Sequence, residues 1–352
     1  MVPKQNSGRK MRSDVIVKKI AIFGSGSWGT AIALLLVRAG HRVSLIGIFS
    51  DEIDLMKRRK ENVPYLPGVF LPDEILPTTD LAEIDAEAVF LVVPSHAVRE
   101  SARLIKPYLR PGCIVVNAAK GLEENTHLRL SQALEEELPK HPIAVLSGPS
   151  HAEEVGRDVP TAVVVASEDI SIAEAVQDLI MTSKFRVYTN RDIIGVELGG
   201  ALKNIIALCT GILEGMNPRD NTKAALITRG LAEITRLGIA MGAERQTFSG
   251  LSGIGDLIVT CTSLHSRNLR AGRALGAGKP LEEVLREVGM VVEGVRATKV
   301  AYELSKKYAI PMPITEQAYK VLFEGLSPNE ALANLMMRGK KHETEDMGIL
   351  GL

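Results

Sequence analysis

The fold of the first half of this chain is decided by residues 20–31, IAIFGSGSWGTA. An apolar run at 20–23 has the pattern of a buried strand, and a turn with the spacing Gly24-x-Gly26-x-x-Gly29 follows it directly. Gly24 permits a tight turn, Gly26 lets the backbone approach a pyrophosphate, and Gly29 lets the next helix pack closely on the strand. That helix would point its positive N-terminal end at the phosphates. The stretch therefore predicts a dinucleotide site that includes all three glycines.

The surrounding sequence predicts an α/β Rossmann-like domain over residues 17–190. Short apolar, β-branched runs alternate there with amphipathic segments, which is typical of βαβ units around a parallel sheet. The predicted strands are 17–23, 42–46, 88–93, 114–117, 143–147, 162–166 and 186–189, and the predicted helices include 28–39, 51–60 and 128–137.

The second half of the chain predicts an all-helical domain over residues 191–342. Strand-like runs become scarce there, and helical periodicity with Ala, Leu, Glu and Lys replaces them. The longest apolar stretch, 193–213, is interrupted by Glu197 and Lys203, so we expect a helix buried in protein and no stable membrane insertion. Residues 1–16 are expected to form a disordered extension, and residues 343–352 a flexible tail.

Composition excludes one class of partner and indicates a compartment. Lys and Arg number 42, as do Asp and Glu, so the formal net charge is zero and no nucleic-acid partner is expected. The basic run at 57–60 is interpreted as a solvated helix face, with a 2′-phosphate or partner contact as the alternative. Three cysteines without C-x-x-C spacing favour a reducing compartment, the cytoplasm, and we predict no metal site.

The residue that usually selects between the two nicotinamide dinucleotides is missing. An acidic residue at the end of the second strand would bond the ribose 2′-OH of NAD, and an arginine would accommodate the 2′-phosphate of NADP. Ile48 stands in that region, and Asp51 and Glu52 come slightly later. The choice between NAD and NADP therefore stays open at this point.

Three predicted strands end in loops that carry candidate site residues. Lys120 follows the strand at 114–117, and Gly148 and Ser150 follow the strand at 143–147. Ligands of open α/β sheets bind outside these carboxyl ends. His96, after the strand at 88–93, is interpreted as a loop or helix-cap residue and not as an acid–base group.

The helical half contributes three further candidates. Lys203 has Gly199 and Gly200 as helical neighbours, so another group can approach the backbone closely beside a lysine suited to acid–base chemistry. The alternative is a lysine whose stem packs while its amine reaches water. Asp256 could hold Lys203, cap the helix that follows it, or do both, because the two roles are compatible. The tripeptide at 266–268, Ser-Arg-Asn, could form an anion pocket at a helix start.

Several dispersed motifs resemble the NAD(P)-dependent sn-glycerol-3-phosphate dehydrogenases of the bacterial type, over nearly all of residues 18–342. The motifs are GSGSWGTA (24–31), VVPSH (92–96), AKGL (119–122), SGPS (147–150), GVELGGALKN (195–204), LITRGLAE (226–233), GDLIVTCT (255–262), SRN (266–268), VVEG (291–294) and MPITE (312–316).

The resemblance implies a helical domain similar to that of 6-phosphogluconate dehydrogenase, and hydride exchange between NAD(P)H and dihydroxyacetone phosphate to give sn-glycerol 3-phosphate for glycerophospholipid synthesis. It implies that Lys203 is the proton acceptor and that the chain forms a homodimer. We predict Asp256 as a second catalytic residue, which holds Lys203. The implied substrate-binding residues are Lys120, Gly148, Ser150, Lys203, Asp256, Ser266, Arg267 and Asn268. The implied cofactor-binding residues are Ser27, Trp28, Lys120, Ala152, Arg267, Val291 and Glu293.

Two other functions remain open from the sequence. One is a different dehydrogenase of this architecture, acting on a hydroxyacid or a nucleotide sugar; oxidation of a nucleotide sugar to the acid needs a cysteine nucleophile, for which Cys261 is the candidate. The other is a module that senses NAD(H) without turnover. In such a module, Lys203, Asp256 and the tripeptide at 266–268 would have no reason to occur together.

Overall fold

A computed structural model describes residues 17–217, 220–340 and 342–343 of the chain. The predicted disordered extension at 1–16 and all but the first residue of the predicted tail lie outside the described residues. The strands are β1 (Lys19–Phe23), β2 (Arg42–Ile46), β3 (Ile75–Thr78), β4 (Ala88–Leu91), β5 (Ile114–Asn117), β6 (Ile143–Ser147), β7 (Thr161–Ala166) and β8 (Phe185–Asn190). They form one sheet in the order β3-β2-β1-β4-β5-β6-β7-β8.

Helices flank this sheet and then make up the second half of the chain. Those of the first half are α1 (Ser27–Arg38), α2 (Ser50–Arg59), α3 (Val98–Ile105), α4 (Leu130–Glu137), α5 (Ala152–Gly156) and α6 (Ile170–Ile180). Those of the second half are α7 (Ile193–Gly215), α8 (Asp220–Ala240), α9 (Arg245–Phe248), α10 (Asp256–Thr262), α11 (Arg267–Gly276), α12 (Leu281–Val288), α13 (Glu293–Lys307), α14 (Pro313–Phe323) and α15 (Pro328–Met336).

The sheet departs from the prediction in two ways. β7 pairs antiparallel with β6, so β7 and β8 run against the other six strands, and the predicted parallel arrangement holds for β1 to β6. The connection from β6 to β7 holds only the five-residue α5, where parallel strands usually need a full crossover helix. β3 was not among the predicted strands; it is an edge strand that contains Pro77, and proline is tolerated at such edges.

The glycine turn between β1 and α1 has the geometry that its sequence predicts. Gly24 has φ +119°, and a Cβ there would collide with the carbonyl of Val92 on the neighbouring chain segment. A Cβ on Gly29 would collide with the carbonyl of Gly24, so α1 could not begin so close to the strand. A Cβ on Gly26 would meet nothing within 4 Å, so this backbone faces open space. The turn is therefore closely packed at Gly24 and Gly29 and open to a ligand at Gly26.

Helix α7 is the core of the second domain. It is long and apolar enough to cross a membrane, but 89% of its most apolar window is buried inside the protein, which confirms the predicted buried helix. Its Gly211 and Gly215 face Gly272 and Gly276 of α11 so closely that a Cβ on any of them would strike the backbone of the opposite helix. This close packing brings the start of α11 beside the middle of α7.

Candidate active site

A carboxylate between two lysines lies where the sheet meets the helical domain. Lys203 of α7 donates to Oδ1 of Asp256 and, at 2.8 Å, to Oγ1 of Thr260. Lys120, from the loop after β5, donates at 2.8 Å to Oδ2 of Asp256 and also at 2.8 Å to the carbonyl oxygen of Gly148. Lys203 is 6% exposed and Asp256 1% exposed, so the charges are held away from bulk water.

Close backbone packing delivers Asp256 to this position. A π-helical turn, Leu251–Gly255, leads directly into α10, whose first residue is Asp256. A Cβ on Gly199 of α7 would lie 2.5 Å from the carbonyl oxygen of Ser252, so only glycine lets this turn approach α7 so closely. The glycines beside Lys203 therefore have the purpose that the sequence analysis inferred, namely close approach to the backbone.

The electrostatic environment tunes both ends of the Lys203–Asp256 pair. Burial lowers the pKa of Lys203 from 10.5 to about 7, Asp256 opposes this shift, and Lys120 adds to it. Burial alone would raise the pKa of Asp256, but the two lysines outweigh it and lower the pKa below its ordinary value. At neutral pH, Lys203 therefore exchanges a proton readily while Asp256 stays ionised.

Two side chains of the tripeptide at 266–268 form hydrogen bonds within the protein, and the third, Arg267, forms none among the described residues. Ser266 caps α11 by accepting from the backbone N–H of Leu269 at 3.2 Å. Asn268 donates to Oδ1 of Asn204 at 2.9 Å and accepts from the N–H of Gly294 at 2.8 Å. Arg267 is exposed, and within the described parts of the chain no hydrogen bond or ion pair engages its guanidinium. Of the three side chains, Arg267 is thus the one free to meet an anion.

The remaining predicted site residues lie on segments that meet between the sheet and the helical domain, and this meeting place is called the cleft below. Ser150 donates to the carbonyl oxygen of Gly148 at 3.0 Å, and Ala152 begins α5. Glu293 begins α13, just after Val291, and accepts from both the backbone N–H and the hydroxyl of Ser95, at 3.1 and 2.7 Å. These two bonds join the helical domain to the loop after β4.

The glycine turn fits a bound dinucleotide. Trp28, in the first turn of α1 beside Ser27, has a buried Nε1 that meets no hydrogen-bond partner among the described residues. Asn62 holds the turn through two hydrogen bonds, donating at 2.8 Å to the carbonyl oxygen of Ser25 and at 2.7 Å to the hydroxyl of Thr30. A rigid turn with an open face at Gly26 and an unused donor beside it suits a ligand rich in phosphate oxygens.

Sequence reasoning missed several residues that organise this site. Asn204, adjacent to Lys203, connects to Asn268 and reaches the carbonyl oxygen of Lys120 at 3.5 Å. Glu197, one turn and a half before Lys203, is buried and accepts from Arg129 at 2.7 Å, tying α7 to the segment before α4. An acidic residue inside so apolar a run was the signal that could have identified this buried pair.

Comparison with known proteins identifies the family of this chain. Two family models match, described as NAD-dependent glycerol-3-phosphate dehydrogenase N-terminus (residues 19–173) and C-terminus (residues 192–333). The chain belongs to the NAD-dependent glycerol-3-phosphate dehydrogenase family. Membership of this dehydrogenase family confirms the predicted resemblance, and with it an oxidoreductase that uses NAD(P) as coenzyme.

Individual glycerol-3-phosphate dehydrogenases match over almost the whole chain. The glycerol-3-phosphate dehydrogenase (NAD(P)+) of Desulfitobacterium hafniense is 66% identical over 335 residues, covering 95% of each protein. That of Pelotomaculum thermopropionicum is 58% identical, covering 94% of this chain and 96% of its own. The crystal structure of glycerol-3-phosphate dehydrogenase from Coxiella burnetii superimposes with a TM-score of 0.88 at 40% identity, covering 92% of this chain and 99% of that chain. The predicted fold class is thereby confirmed.

Proposed function

We propose that this chain interconverts dihydroxyacetone phosphate and sn-glycerol 3-phosphate, with Lys203 as the acid–base group. The observation that carries the proposal is a buried lysine with a pKa of about 7, held by a carboxylate that a second lysine from the other domain also contacts. A ketone reductase needs such a group to supply a proton near neutral pH. The names of the relatives supply the substrate pair.

The residues divide the reaction between them. The bound nicotinamide supplies or takes up the hydride at C2 of the substrate. During reduction, Lys203 donates its proton to the C2 oxygen and becomes neutral; during oxidation, it accepts the proton of the C2 hydroxyl. Lys120, itself a cation beside Asp256, stabilises negative charge developing on that oxygen. Asp256 holds both ammonium groups in place.

The substrate phosphate is expected at the start of α11. Arg267 offers an exposed guanidinium whose donors suit phosphate oxygens. Ser266 and Asn268 contribute by fixing the first turn of α11, whose free backbone N–H groups add to the attraction for an anion. Gly148 and Ser150 belong to the sheet domain, where the carbonyl oxygen of Gly148 accepts from both Lys120 and Ser150. The substrate would then bridge the two domains.

The proposal is tested by replacing Lys203 with methionine. Turnover at 340 nm with dihydroxyacetone phosphate should fall by about a thousandfold or more, a loss in the range reported for essential acid–base groups. Binding of NADH, measured by fluorescence titration, should survive. Lys203→Arg should be equally inactive, because arginine keeps the charge but does not release its proton near neutral pH.

A matched control is Lys223→Met, which removes another partly buried lysine of the helical domain, paired with Glu214. It should keep normal turnover. Loss of NADH binding in Lys203→Met would show that the lysine is structural, and full turnover in that variant would refute its role.

The nucleotide-sugar alternative is disfavoured by the state of Cys261. This residue is fully buried, and burial raises the pKa of its thiol to about 11, so the nucleophilic thiolate is scarce at neutral pH. Cys261→Ser should therefore retain dihydroxyacetone phosphate reduction. The sensor alternative is disfavoured by the buried cluster of Lys203, Asp256 and Lys120, which binding of a dinucleotide alone does not require.

We infer that the enzyme is a homodimer in the cytoplasm. Support for the dimer comes from an apolar cleft of about 350 Å³ between α7, α8, α14 and α15, next to the exposed Met336 and Met337. Three free cysteines are consistent with a reducing compartment. Light scattering coupled to size-exclusion chromatography should give about twice the chain mass of 38.1 kDa. A monomeric mass at micromolar concentration would refute the dimer.

A further inference from the structure

The end of β2 presents two exposed apolar side chains to the place where the adenosine ribose of a dinucleotide lies. In βαβ units that bind dinucleotides, this strand end carries the group that reads the ribose 2′ position. Here Ile48 is 66% exposed and Phe49 59% exposed, directly before α2. Exposed apolar groups of this size beside the glycine turn indicate a surface for packing, and neither side chain can bond a phosphate.

The charged groups that follow this strand end along the chain are acidic. Asp51 and Glu52 occupy the first turn of α2, and Glu52 accepts from the phenol of Tyr65 at 2.9 Å. The neighbouring strand β3 ends just before Asp80, whose carboxylate caps the turn that follows. No lysine or arginine occurs in residues 43–56 or 74–98. A phosphate dianion at the 2′ position would therefore meet the negative charge of these two segments, which contain no cation to balance it.

The basic run at 57–60 lies at the C-terminal end of α2, too far from the end of β2 to pair with a 2′-phosphate. A helix rises about 1.5 Å per residue, so this run is roughly 10 to 15 Å along the axis from the first residue of α2. Lys60 pairs with Asp73, and its carbonyl accepts from the N–H of Leu71 at 2.8 Å. Both residues precede β3, at the amino edge of the sheet, whereas the dinucleotide lies at the carboxyl edge.

The arginines of the helices that follow β1 and β4 are already engaged. Arg99 bonds Glu123 and Glu137, and Arg38 donates to the carbonyl oxygens of Val155 and Gly156. Moving either to a 2′-phosphate would break these bonds.

We propose that the chain selects NADH over NADPH, with Ile48 and Phe49 as the specificity-determining residues and Asp51 and Glu52 repelling a 2′-phosphate. This inference rests on the proposed function and narrows its cofactor.

The test is a fluorescence titration of the full-length protein with NADH and with NADPH, without substrate. The dissociation constant for NADPH should exceed that for NADH by about tenfold or more. Phe49→Arg should tighten NADPH binding about tenfold, because the guanidinium offers a bidentate partner to the phosphate, and should change NADH binding by less than about threefold. Phe323→Arg, which places the same cation at a 43% exposed phenylalanine of α14, is the control and should change neither constant.

Equal or tighter binding of NADPH by the unmodified protein would overturn the inference, as would a Phe49→Arg variant whose preference does not move. Steady-state rates with dihydroxyacetone phosphate keep the two proposals apart. Turnover together with a preference for NADPH refutes the cofactor selectivity alone, whereas NADH binding without turnover refutes the proposed reaction and leaves the selectivity supported.

Discussion

Replacing Asp256 with asparagine removes the negative charge between Lys203 and Lys120 while keeping the size of the side chain. In the unaltered protein, burial lowers the pKa of Lys203 to about 7, and the Asp256 carboxylate opposes that shift. With the carboxylate charge gone, desolvation and the positive charge of Lys120 act without opposition. The pKa of Lys203 is therefore expected to fall further in Asp256→Asn.

The size of this fall can be bounded from the contact between the two groups. Unit charges about 4 Å apart interact by about 4 kcal/mol at an effective dielectric constant of about 20. One pKa unit corresponds to about 1.4 kcal/mol, so at this separation the loss of the carboxylate charge lowers the pKa by about three units. Rearrangement of Lys120 and entry of water reduce this, and we expect a fall of at least about one unit.

The assay is the pH dependence of kcat/KM in both directions. Reduction of dihydroxyacetone phosphate needs protonated Lys203, so its rate should decline above about pH 7 in the unaltered enzyme. In Asp256→Asn that decline should begin near or below about pH 6. Oxidation of sn-glycerol 3-phosphate needs neutral Lys203, so its rise with pH should move to acid by the same amount.

A control removes a different buried carboxylate of the same domain. Glu233→Gln changes a side chain that bonds the backbone N–H groups of Ile314 and Thr315 and neither lysine of the site, so it should leave the pH profile in place. The reasoning is refuted if the Asp256→Asn profile superimposes on that of the unaltered enzyme or moves to alkaline pH.

Three further changes test other parts of the structure. Gly199→Ala places a Cβ 2.5 Å from the carbonyl oxygen of Ser252. The turn before α10 should be displaced as a result, and kcat/KM should fall by about tenfold or more. An unchanged kcat/KM would contradict this prediction. Glu197→Gln leaves buried Arg129 without its counter-charge and should lower the free energy of unfolding by about 3–5 kcal/mol in urea titrations; equal stability would show that the pair contributes nothing. Burial raises the pKa of Glu233 to about 7, so protonation of Glu233 should stabilise the fold below about pH 4.5, and this stabilisation, on the order of 3 kcal/mol, should be lost as pH rises through 7. Glu233→Gln should flatten that part of the plot of unfolding free energy against pH. An unaltered slope would contradict the raised pKa of Glu233.

The local pattern of the sequence carried much of the fold. The predicted boundaries of β2, β5 and β6 coincide with the structure, and α1 and α2 are displaced by one residue at each end. β3 escaped detection because Pro77 interrupts a short run at a sheet edge. The reversed direction of β7 was not predictable from periodicity, since strand direction depends on how the connecting segment packs and not on alternation within the strand.

The site shows the same division between local and distant information. Lys203 and Asp256 were recognisable because the glycines around each of them have no local reason to be there. The contact of Lys120 with Asp256 joins residues 136 positions apart, and that of Ser95 with Glu293 joins residues 198 apart. Such pairs depend on the packing of two domains, which one sequence does not reveal.

The shared carboxylate of Asp256 makes the acidity of one lysine depend on the closure of the cleft. Lys120 arrives from the sheet domain, while Lys203 and Asp256 belong to the helical domain. Opening the cleft would withdraw one cation and admit water to Lys203, and both changes raise its proton affinity toward that of an ordinary lysine. In an open enzyme Lys203 would stay protonated at neutral pH, and only in the closed enzyme could Lys203 exchange its proton there. If the two domains separate to admit the substrate, the movement that encloses it would also gate proton transfer.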